Sequence, residues 1–363
     1  MSNQIKFVQH MNIKKSLTLV CLVILSMASC KKTPKEAPEK QEPISEEVMD
    51  ISQAFAIEIL DEEALKIIDS TASIEVLASG FTWSEGPLWI DEGKYLLFSD
   101  IPNNKVYKWD SQKKDTTTYL HPSGFLGKVS DDFKEPGSNG LTLDGNGQLV
   151  LMQHGERRVA RMTAPLSQPK SEFEPLVDNY EGKRFNSPND GYFDKQGNFY
   201  FTDPPYGLPK GMDDPEKELD FQGVYCLKTS GELVLLDKLS RPNGICLSPD
   251  HDILYVAVSD SKHAVWYQYD VKEPGVVENK KLFHDATHLM GKEGHQGAPD
   301  GLKVHSQGYV LATGPGGLWI FDPSGKTLAK VYTGQRTSNC VLSTDEKQLF
   351  LTADDYLLKV SLK

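Results

Sequence analysis

The sequence predicts an all-β protein, specifically a six-bladed β-propeller. A common pattern of strands and turns recurs six times between about residues 74 and 362, and its opening residues lie 39 to 57 positions apart. The chain also contains 29 glycines and 21 prolines, which favours many short strands joined by turns. Repeats of about 40–55 residues with four strands each are typical of propeller blades. The alternative of two stacked β-domains does not account for the shared phase of all six repeats.

Each repeat opens with a polar residue, usually followed by glycine, and continues into a first strand. Turn-forming residues such as Asp144–Gly147 then lead to a hydrophobic second strand. The second strands are predicted at residues 95–100, 148–154, 198–203, 253–260, 309–314 and 348–354. The third strands are predicted at residues 105–110, 157–162, 223–228, 264–270, 318–322 and 357–362.

The two ends of the repeat region are predicted to meet and close the ring. Five repeats supply a fourth strand, such as residues 232–237, whereas the sixth has only three strands up to residue 362. Residues 74–78 precede the first opening residue in the phase expected of a fourth strand. We therefore expect this N-terminal strand to complete the last blade, so that residues 74–363 form one domain.

The residues before the first repeat are predicted to direct and tether the protein. Within residues 1–29, two lysines precede an apolar run shorter than the about 20 residues that span a bilayer, which is typical of an export signal. Small residues before Cys30 resemble a bacterial lipobox. We expect Cys30 to be lipidated and to hold the exported protein at a bacterial membrane, with a plain secretory signal as the alternative.

Two further segments separate this signal from the propeller. Residues 30–48 are rich in Lys, Glu and Pro and bury too little apolar surface to fold, so they are predicted to be a flexible tether. Residues 49–73 carry spaced apolar positions and are predicted to be a short helical lead-in, with Asp61 as a helix N-cap.

Charge and cysteine content exclude several functional classes. The formal net charge is −12, whereas nucleic-acid binding usually requires a basic face, so no nucleic-acid partner is expected. Five cysteines are too few for a disulfide-built scaffold, and Cys226, Cys246 and Cys340 are predicted to be buried thiols. The chain has no Gly-x-Ser-x-Gly motif, which argues against a serine hydrolase.

The six opening residues are the main candidates for a binding site. In a propeller the first strands line the central channel, so equivalent residues form a ring around the axis. All six carry side-chain oxygen: Glu85, Asn139, Asn189, Asn243, Asp300 and Asn339. Calcium prefers about six to eight oxygen ligands, whereas zinc prefers His and Cys, so the ring predicts a hard divalent cation. The alternative is that these residues are turn formers at the start of each blade, which does not explain Glu85.

Longer motifs around these positions resemble the gluconolactonase and senescence marker protein (regucalcin) family. They are residues 81–89 (FTWSEGPLW), 186–191 (NSPNDG), 201–207 (FTDPPYG), 241–244 (RPNG) and 299–301 (PDG), and the resemblance covers about residues 57–361. It implies a six-bladed propeller with one calcium-type ion on its axis and hydrolysis of sugar lactones or related esters. It also implies the metal ligands Glu85, Asn189, Asn243 and Asp300. Residues 201–207 match the bacterial branch of the family rather than its animal members.

Asp300 is the predicted general base, because a carboxylate beside a cation can accept a proton with one of its oxygens. His154 is the second candidate base, with a structural strand-end histidine as the alternative. The candidate substrate-binding residues are His154, Asn139, Asp203 and Tyr206. For Asp203, capping of a turn is an equally favoured role.

With the oxygen-rich ring, the family resemblance implies a calcium-dependent hydrolase that acts on a small-molecule lactone such as gluconolactone, and we expect it to be a monomer. One alternative is a metal-dependent ester, organophosphate or aromatic-lactone hydrolase at the same site. Another is a non-catalytic binding propeller whose cation is structural. His284, His288 and His295 suggest a zinc site, but their intervals of four and seven favour a polar loop or lid.

Overall fold

The computed structural model describes residues 55–363, whose regular secondary structure is almost entirely β-strand. The predictions for the export signal (residues 1–29), for Cys30 and for the tether (residues 30–48) lie outside the described residues. Three short 3-10 helices accompany the strands in this region, at Glu62–Lys66, Gly211–Asp213 and Thr287–Leu289. No helix among residues 55–363 is long and apolar enough to cross a membrane.

Residues 55–363 form six antiparallel sheets arranged as the blades of a propeller, which confirms the predicted fold. Each of blades 1 to 4 is built from four consecutive strands. Blade 1 comprises Ser84–Ile90, Tyr95–Asp100, Lys105–Asp110 and Asp115–Leu120. Blade 2 comprises Ser138–Leu143, Leu149–Gln153, Arg158–Met162 and Phe173–Val177. Blade 3 comprises Gly191–Phe193, Phe199–Asp203, Gly223–Leu227 and Leu233–Lys238. Blade 4 comprises Pro242–Leu247, Ile253–Asp260, His263–Glu273 and Val276–Asp285.

The last two blades each contain a strand from the N-terminal part of the domain. Blade 5 comprises Leu302–Val304, Val310–Gly314, Gly317–Phe321 and Thr327–Tyr332, followed at its edge by Ala56–Ile59. Blade 6 comprises Thr337–Leu342, Gln348–Ala353, Tyr356–Ser361 and the N-terminal strand Ile74–Ser79. A separate two-stranded hairpin, Asn179–Tyr180 with Lys183–Arg184, precedes blade 3.

The predicted closure of the ring is confirmed. Ile74–Ser79 runs antiparallel to Tyr356–Ser361, with Ile74 opposite Val360 and Ser79 opposite Tyr356. The first and last segments of the propeller therefore share one sheet. Hydrogen bonds between these strands replace the unpaired edges that an open ring would leave.

The segment predicted as a helical lead-in differs from that prediction. Ala56–Ile59 is a strand on the edge of blade 5, paired with Thr327–Tyr332, and its residues alternate between exposed and half-buried. Asp61 does act as an N-cap, because its side chain accepts a hydrogen bond from the Glu63 backbone N–H at 2.9 Å. The helix that follows is only one 3-10 turn. The extended conformation of Ala56–Ile59 is set by pairing with the free edge of blade 5, which is remote in the sequence.

Apolar side chains between neighbouring blades hold the propeller together. Among residues 55–363, six buried clusters each join two adjacent blades; Phe98 of blade 1 and Phe350 of blade 6, for example, share one of them. Both side chains are fully buried, and burying a large apolar side chain stabilises a fold by about 1.5–3 kcal/mol. This packing fixes the blades around the axis, so that the start of each first strand meets its equivalents there.

Candidate active site on the propeller axis

A cavity of about 390 Å³ lies where the first strands converge. Five of the six opening residues line it: Glu85, Asn139, Asn189, Asn243 and Asp300. The lining also includes the half-buried Trp83, Glu135 and Tyr206, and the exposed Arg241 and Arg336, which mark its mouth. Larger clefts of about 760 and 820 Å³ lie between blade 1 and its two neighbours, and none of the opening residues lines them. The chemistry-bearing residues are therefore concentrated in the axial cavity.

A β-bulge lies at or beside the opening residue in four of the six blades. The pairing of the first strand with the second shifts between Glu85 and Leu88 in blade 1, and between Pro242 and Ile245 in blade 4. Blades 2 and 6 show the same shift at the equivalent place. A bulge leaves one residue out of the ladder and re-aims its side chain. The opening residue of a blade can therefore face the axis instead of the neighbouring blade.

The glycine after the opening residue permits a close approach of the next blade. A Cβ atom on Gly86 would lie 2.2 Å from the backbone oxygen of Asn139, and one on Gly244 would lie 2.2 Å from that of Asp300. Both distances are far below van der Waals contact, so a larger residue would push the ring apart. The glycines of these Glu-Gly and Asn-Gly pairs therefore allow the blades to pack closely around the axis. This role differs from the turn-forming role that was the alternative interpretation of the sequence.

Hydroxyl groups from the second strands hold the opening segments in place. Ser99 of blade 1 donates to the backbone oxygen of Asn139 at 2.7 Å, and Thr202 of blade 3 donates to that of Asn243 at 2.7 Å. Ser259 of blade 4 likewise donates to the oxygen of Pro299, next to Asp300, at 2.6 Å. Each of these blades therefore positions the cavity-lining residue of the blade that follows it.

Four buried side-chain oxygens at the cavity have no hydrogen-bond partner among residues 55–363. They are the Oδ1 atoms of Asn139, Asn189, Asn243 and Asp300. A buried polar atom without a partner costs about 1–3 kcal/mol, so four of them around one cavity call for an unseen partner such as water or an ion. A cation would be that partner for the oxygens of Asn189, Asn243 and Asp300, and the oxygen of Asn139 would remain free for another ligand.

The amide nitrogens of two of these asparagines have partners within the protein. Asn243 Nδ2 donates to Ser259 Oγ at 2.9 Å, and Asn189 Nδ2 lies 3.5 Å from His154 Nε2. Each NH₂ group thus has a neighbour in the protein, whereas each Oδ1 is buried without a partner among residues 55–363, so the carbonyl oxygens are the atoms left free for a ligand. Amide oxygens are ligands that calcium accepts. Among residues 55–363 no three His, Cys, Asp or Glu side chains form a metal-binding cluster, so the donor set here depends on the asparagines.

Two carboxyl groups complete the lining of the cavity. Glu85 is 1% exposed, and its Oε2 accepts hydrogen bonds from the Gly86 backbone N–H at 2.5 Å and from Asn339 Nδ2 at 3.1 Å. Burial raises the pKa of the Glu85 carboxyl. Burial, followed by repulsion from Glu85, also raises the pKa of Asp300 well above its usual range. Two buried carboxyl groups that disfavour each other's charge form a site that a divalent cation would stabilise.

Asn339 occupies the sixth ring position but does not line the cavity. Its Nδ2 donates to Glu85 Oε2 at 3.1 Å and lies 3.3 Å from Asp190 Oδ2, while its Oδ1 accepts from the Cys340 backbone N–H at 2.8 Å. Asn339 therefore orients Glu85. The repeat phase placed it in the ring, and the resemblance assigned it no ligand role.

His154 is fully buried beside the cavity rather than in its lining. Its Nδ1 lies 3.2 Å from Glu135 Oε2, and its Nε2 faces the amide of Asn189. In the tautomer with the ring proton on Nδ1, Nε2 can accept from Asn189 Nδ2 at 3.5 Å, which favours one direction of that amide. A chain of contacts thus runs from Glu135 through His154 to the Asn189 oxygen. The geometry gives His154 the role of a positioning residue.

Replacing His154 with alanine is expected to weaken divalent-cation binding by about 10- to 100-fold, the range found for residues that orient metal ligands. Without Nε2 the Asn189 amide can rotate and turn its NH₂ group into the cavity. Calorimetric titration with Ca²⁺ measures the effect. His154→Gln, whose side-chain oxygen can accept from Asn189, should recover part of the affinity. A folded His154→Ala protein with unchanged cation affinity would contradict the role.

Asp203 and Tyr206 take different positions. Asp203 is fully buried and does not line the cavity; its carboxylate accepts from the backbone N–H groups of Asn186 at 2.9 Å and Ser187 at 2.7 Å. It ties down the segment that leads to Asn189, which agrees with the turn-capping alternative. Tyr206 lines the cavity, and burial, with Asp300 adding to it, raises the pKa of its phenol. Tyr206 therefore stays protonated and presents a hydrogen-bond donor.

The cysteines and the histidine-rich segment contribute no reactive group to the cavity lining. Cys226, Cys246 and Cys340 are buried free thiols, and burial raises the pKa of Cys246 to about 11. His284 packs against Trp319, with ring centroids 5.3 Å apart, and its Nδ1 lies 3.1 Å from the Gly325 backbone oxygen. It acts as part of the core between blades 4 and 5.

For several residues that line the cavity, the sequence predicted no role in the site. They are Trp83, Glu135, Arg241, Ser259 and Arg336. Trp83 and Arg241 each stand two residues before an opening residue, so the repeat phase contained a signal for them. Glu135 lies in a long connection between blades 1 and 2, and nothing in the sequence placed it beside the axis.

Comparison with known proteins agrees with this architecture. The model of the SMP-30/Gluconolactonase/LRE-like region matches residues 83–355. The chain is 38% identical over 301 residues to a gluconolactonase of Zymomonas mobilis, with 82% of this chain and 83% of that protein covered. It is 30% identical over 152 residues to the diisopropyl-fluorophosphatase of Loligo vulgaris, with 40% of this chain and 46% of that protein covered.

A solved structure shows the same relationship. A gluconolactonase of Xanthomonas campestris superposes with a TM-score of 0.71 at 27% identity, and 85% of this chain and 95% of that chain are covered. The family match spans all six opening residues and the cavity that they surround. This chain therefore belongs to the SMP-30/gluconolactonase/LRE-like family.

Proposed function

We propose that this protein is a metal-dependent hydrolase that opens sugar lactones such as gluconolactone. The observation that carries the proposal is the set of four unpaired buried oxygens, together with Glu85, around one axial cavity. Membership of a family that contains gluconolactonases supports the lactone as substrate class. A cavity of about 390 Å³ has the size of a small-molecule site.

We propose that Glu85, Asn189, Asn243 and Asp300 hold a divalent cation, most suitably calcium. All four ligands are oxygen donors, which suits calcium and magnesium better than zinc. The two carboxylates balance the charge of a divalent ion. When bound, the cation supplies a Lewis acid that draws electron density from the lactone carbonyl and acidifies nearby water.

The side chains of the cavity then divide the remaining work. Asp300 takes a proton from the attacking water, whose oxygen bonds to the carbonyl carbon. The ring C–O bond breaks, and the ring oxygen leaves as an alcohol after receiving the proton that Asp300 took from the water. The product is the open-chain hydroxy acid. Asn139, which has a free amide oxygen, and Tyr206, a protonated donor, face the same cavity and are placed to hydrogen-bond the sugar hydroxyls.

Removal of the cation is the direct test of this proposal. Hydrolysis of gluconolactone, followed by acid release and corrected for spontaneous opening, should fall to background after treatment with a chelator. Calcium, magnesium, manganese and zinc are then added back separately, and calcium should restore turnover most fully. Full activity in the presence of chelator would contradict the metal-dependent mechanism, and no hydrolysis of any lactone under any metal would favour a binding propeller.

A second candidate activity is hydrolysis of organophosphates or aryl esters at the same site. The similarity to the diisopropyl-fluorophosphatase over 152 residues favours it as the alternative. The reaction would use the same cation and the same carboxylates on a phosphoryl or acyl centre. A panel of sugar lactones, aryl esters and a fluorophosphate, each compared by kcat/KM, distinguishes the two activities.

A further inference from the structure

Two arginines at the mouth of the cavity form no side-chain hydrogen bond or ion pair within residues 55–363; Asp260 lies near Arg241 and Asp354 near Arg336, each beyond ion-pair distance. That region contains six arginines, and four of them donate side-chain hydrogen bonds inside the protein: Arg157, Arg158, Arg161 and Arg184. Arg161 also forms ion pairs with Asp144 and Glu174. Arg241 and Arg336 form neither kind of contact among the described residues, and both line the axial cavity. Their guanidinium groups are therefore available to a ligand.

The fold places these two arginines on either side of Asp300. Arg241 immediately precedes the first strand of blade 4, and Arg336 immediately precedes that of blade 6, while Asp300 opens blade 5 between them. Arg241 has a left-handed backbone (φ 49°), a conformation that non-glycine residues adopt at a cost. Its backbone N–H donates to Gln222 Oε1 at 2.7 Å, and its backbone oxygen accepts from the Ser259 N–H at 3.0 Å. The strained residue is thus fixed from both sides at the cavity mouth.

The charges of the cavity favour an anion at this mouth once the cation site is filled. The lining contains three carboxylates (Glu85, Glu135 and Asp300) and two guanidinium groups. Glu85 and Asp300 offset a divalent cation, and Glu135 lies against His154. The lining then carries a net positive charge, because two guanidinium groups and a divalent cation together exceed the three carboxylates by one charge. A guanidinium group binds carboxylate and phosphate oxygens in a two-pronged geometry that neutral hydroxyls do not match.

We propose that the preferred substrates are lactones that carry an anionic substituent, a carboxylate or a phosphate, bound by Arg241 and Arg336. This inference rests on the proposed lactone hydrolysis and specifies its substrate class. The cation-binding residues meet the lactone group at the axis, and the arginines meet the charged substituent at the mouth. Trp83, which also lines the cavity, offers a flat apolar surface for the sugar ring between them.

Three lactones test the proposal by their kcat/KM: neutral glucono-δ-lactone, 6-phosphogluconolactone and the carboxylate-bearing glucaro-1,4-lactone. The calcium-loaded protein should turn over at least one anionic lactone about tenfold more efficiently than the neutral lactone. In Arg241→Gln and Arg336→Gln, the loss on that anionic lactone should exceed the loss on the neutral lactone by about tenfold. The excess should shrink at high salt, because exposed charges are screened. Comparison of kcat/KM for 6-phosphogluconolactone and glucaro-1,4-lactone then shows whether a phosphate or a carboxylate is recognised.

Arg184→Gln is the matched control, because Arg184 is also exposed but lies outside the cavity lining. Equal losses on neutral and anionic lactones in the arginine variants would place the guanidinium groups at the reacting ester and overturn the inference. An absence of turnover on every lactone would instead overturn the proposed function. Calorimetric binding of 6-phosphogluconate and glucarate would then still decide the inference. It fails if the Arg241→Gln/Arg336→Gln double variant binds both anions as tightly as the original protein does.

Discussion

Replacing Asp300 with asparagine is expected to lower kcat for gluconolactone by about 10²- to 10⁴-fold, the contribution typical of a general base. Asparagine keeps the size of the side chain and one oxygen donor but cannot accept a proton. The surroundings of the side chain should persist, since the Asp300 backbone N–H is bonded to the Thr313 oxygen at 3.1 Å. Turnover is measured at saturating calcium, so that weaker cation binding does not account for the loss.

Two further measurements distinguish loss of the general base from unfolding or loss of bound calcium. A thermal melt should show that Asp300→Asn remains folded, and calorimetry should show that it still binds calcium at raised concentration. Asp250→Asn, which changes the same charge on an exposed turn of blade 4, should leave kcat unaltered. If the calcium-saturated Asp300→Asn protein keeps its kcat within about threefold, a factor well below the general-base range, Asp300 is not the base.

Replacing Glu85 with glutamine is expected to weaken calcium binding by more than about 100-fold, since removal of a charged ligand should cost more than loss of an outer-shell partner. Both hydrogen bonds to Glu85 Oε2 come from donors, the Gly86 N–H and Asn339 Nδ2. A glutamine must place its oxygen there to accept them. Its NH₂ group then faces the cavity, where it repels a cation instead of binding one.

Calcium titration and thermal melting with and without calcium provide the readouts. Calcium should raise the melting temperature of the original protein, because binding to the folded state stabilises it by RT ln(1 + [L]/Kd). Glu85→Gln should lose most of this increase, together with lactone hydrolysis. Glu92→Gln, an exposed carboxylate of the same blade, is the control and should keep both. A normal calcium-dependent increase in Glu85→Gln would exclude Glu85 as a ligand.

Much of the architecture was accessible from the sequence because a propeller repeats one local pattern. The spacing of Glu85, Asn139 and their equivalents fixed the number of blades, and the phase of residues 74–78 identified the strand that closes the ring. The same logic failed for Ala56–Ile59, because an extra edge strand belongs to no repeat. Its conformation depends on pairing with the free edge of blade 5. Ala56, for example, pairs with Tyr332, which is remote in the chain.

The sequence predicted most residues of the candidate site, but not the hydrogen bonds that orient their side chains. The repeat phase and the family resemblance predicted that Asn189, Asn243 and Asp300 belong to one cation site. The structure added which atom of each asparagine is free, because that depends on contacts with His154 and Ser259. Such contacts join residues of different strands or different blades, and no local pattern encodes them.

The sequence by itself determined the repeat, the number of blades and the oxygen-rich ring, because each follows from residues close together in the chain. Only the tertiary structure decided how that ring is used. It buried Asn339 behind Glu85, withdrew His154 and Asp203 from the cavity lining, and brought Glu135, Arg241 and Arg336 to its mouth. The physical reason is that the direction of a side chain at the axis is set by bulges and by hydrogen bonds between strands and blades, which form only when all six blades have closed around it.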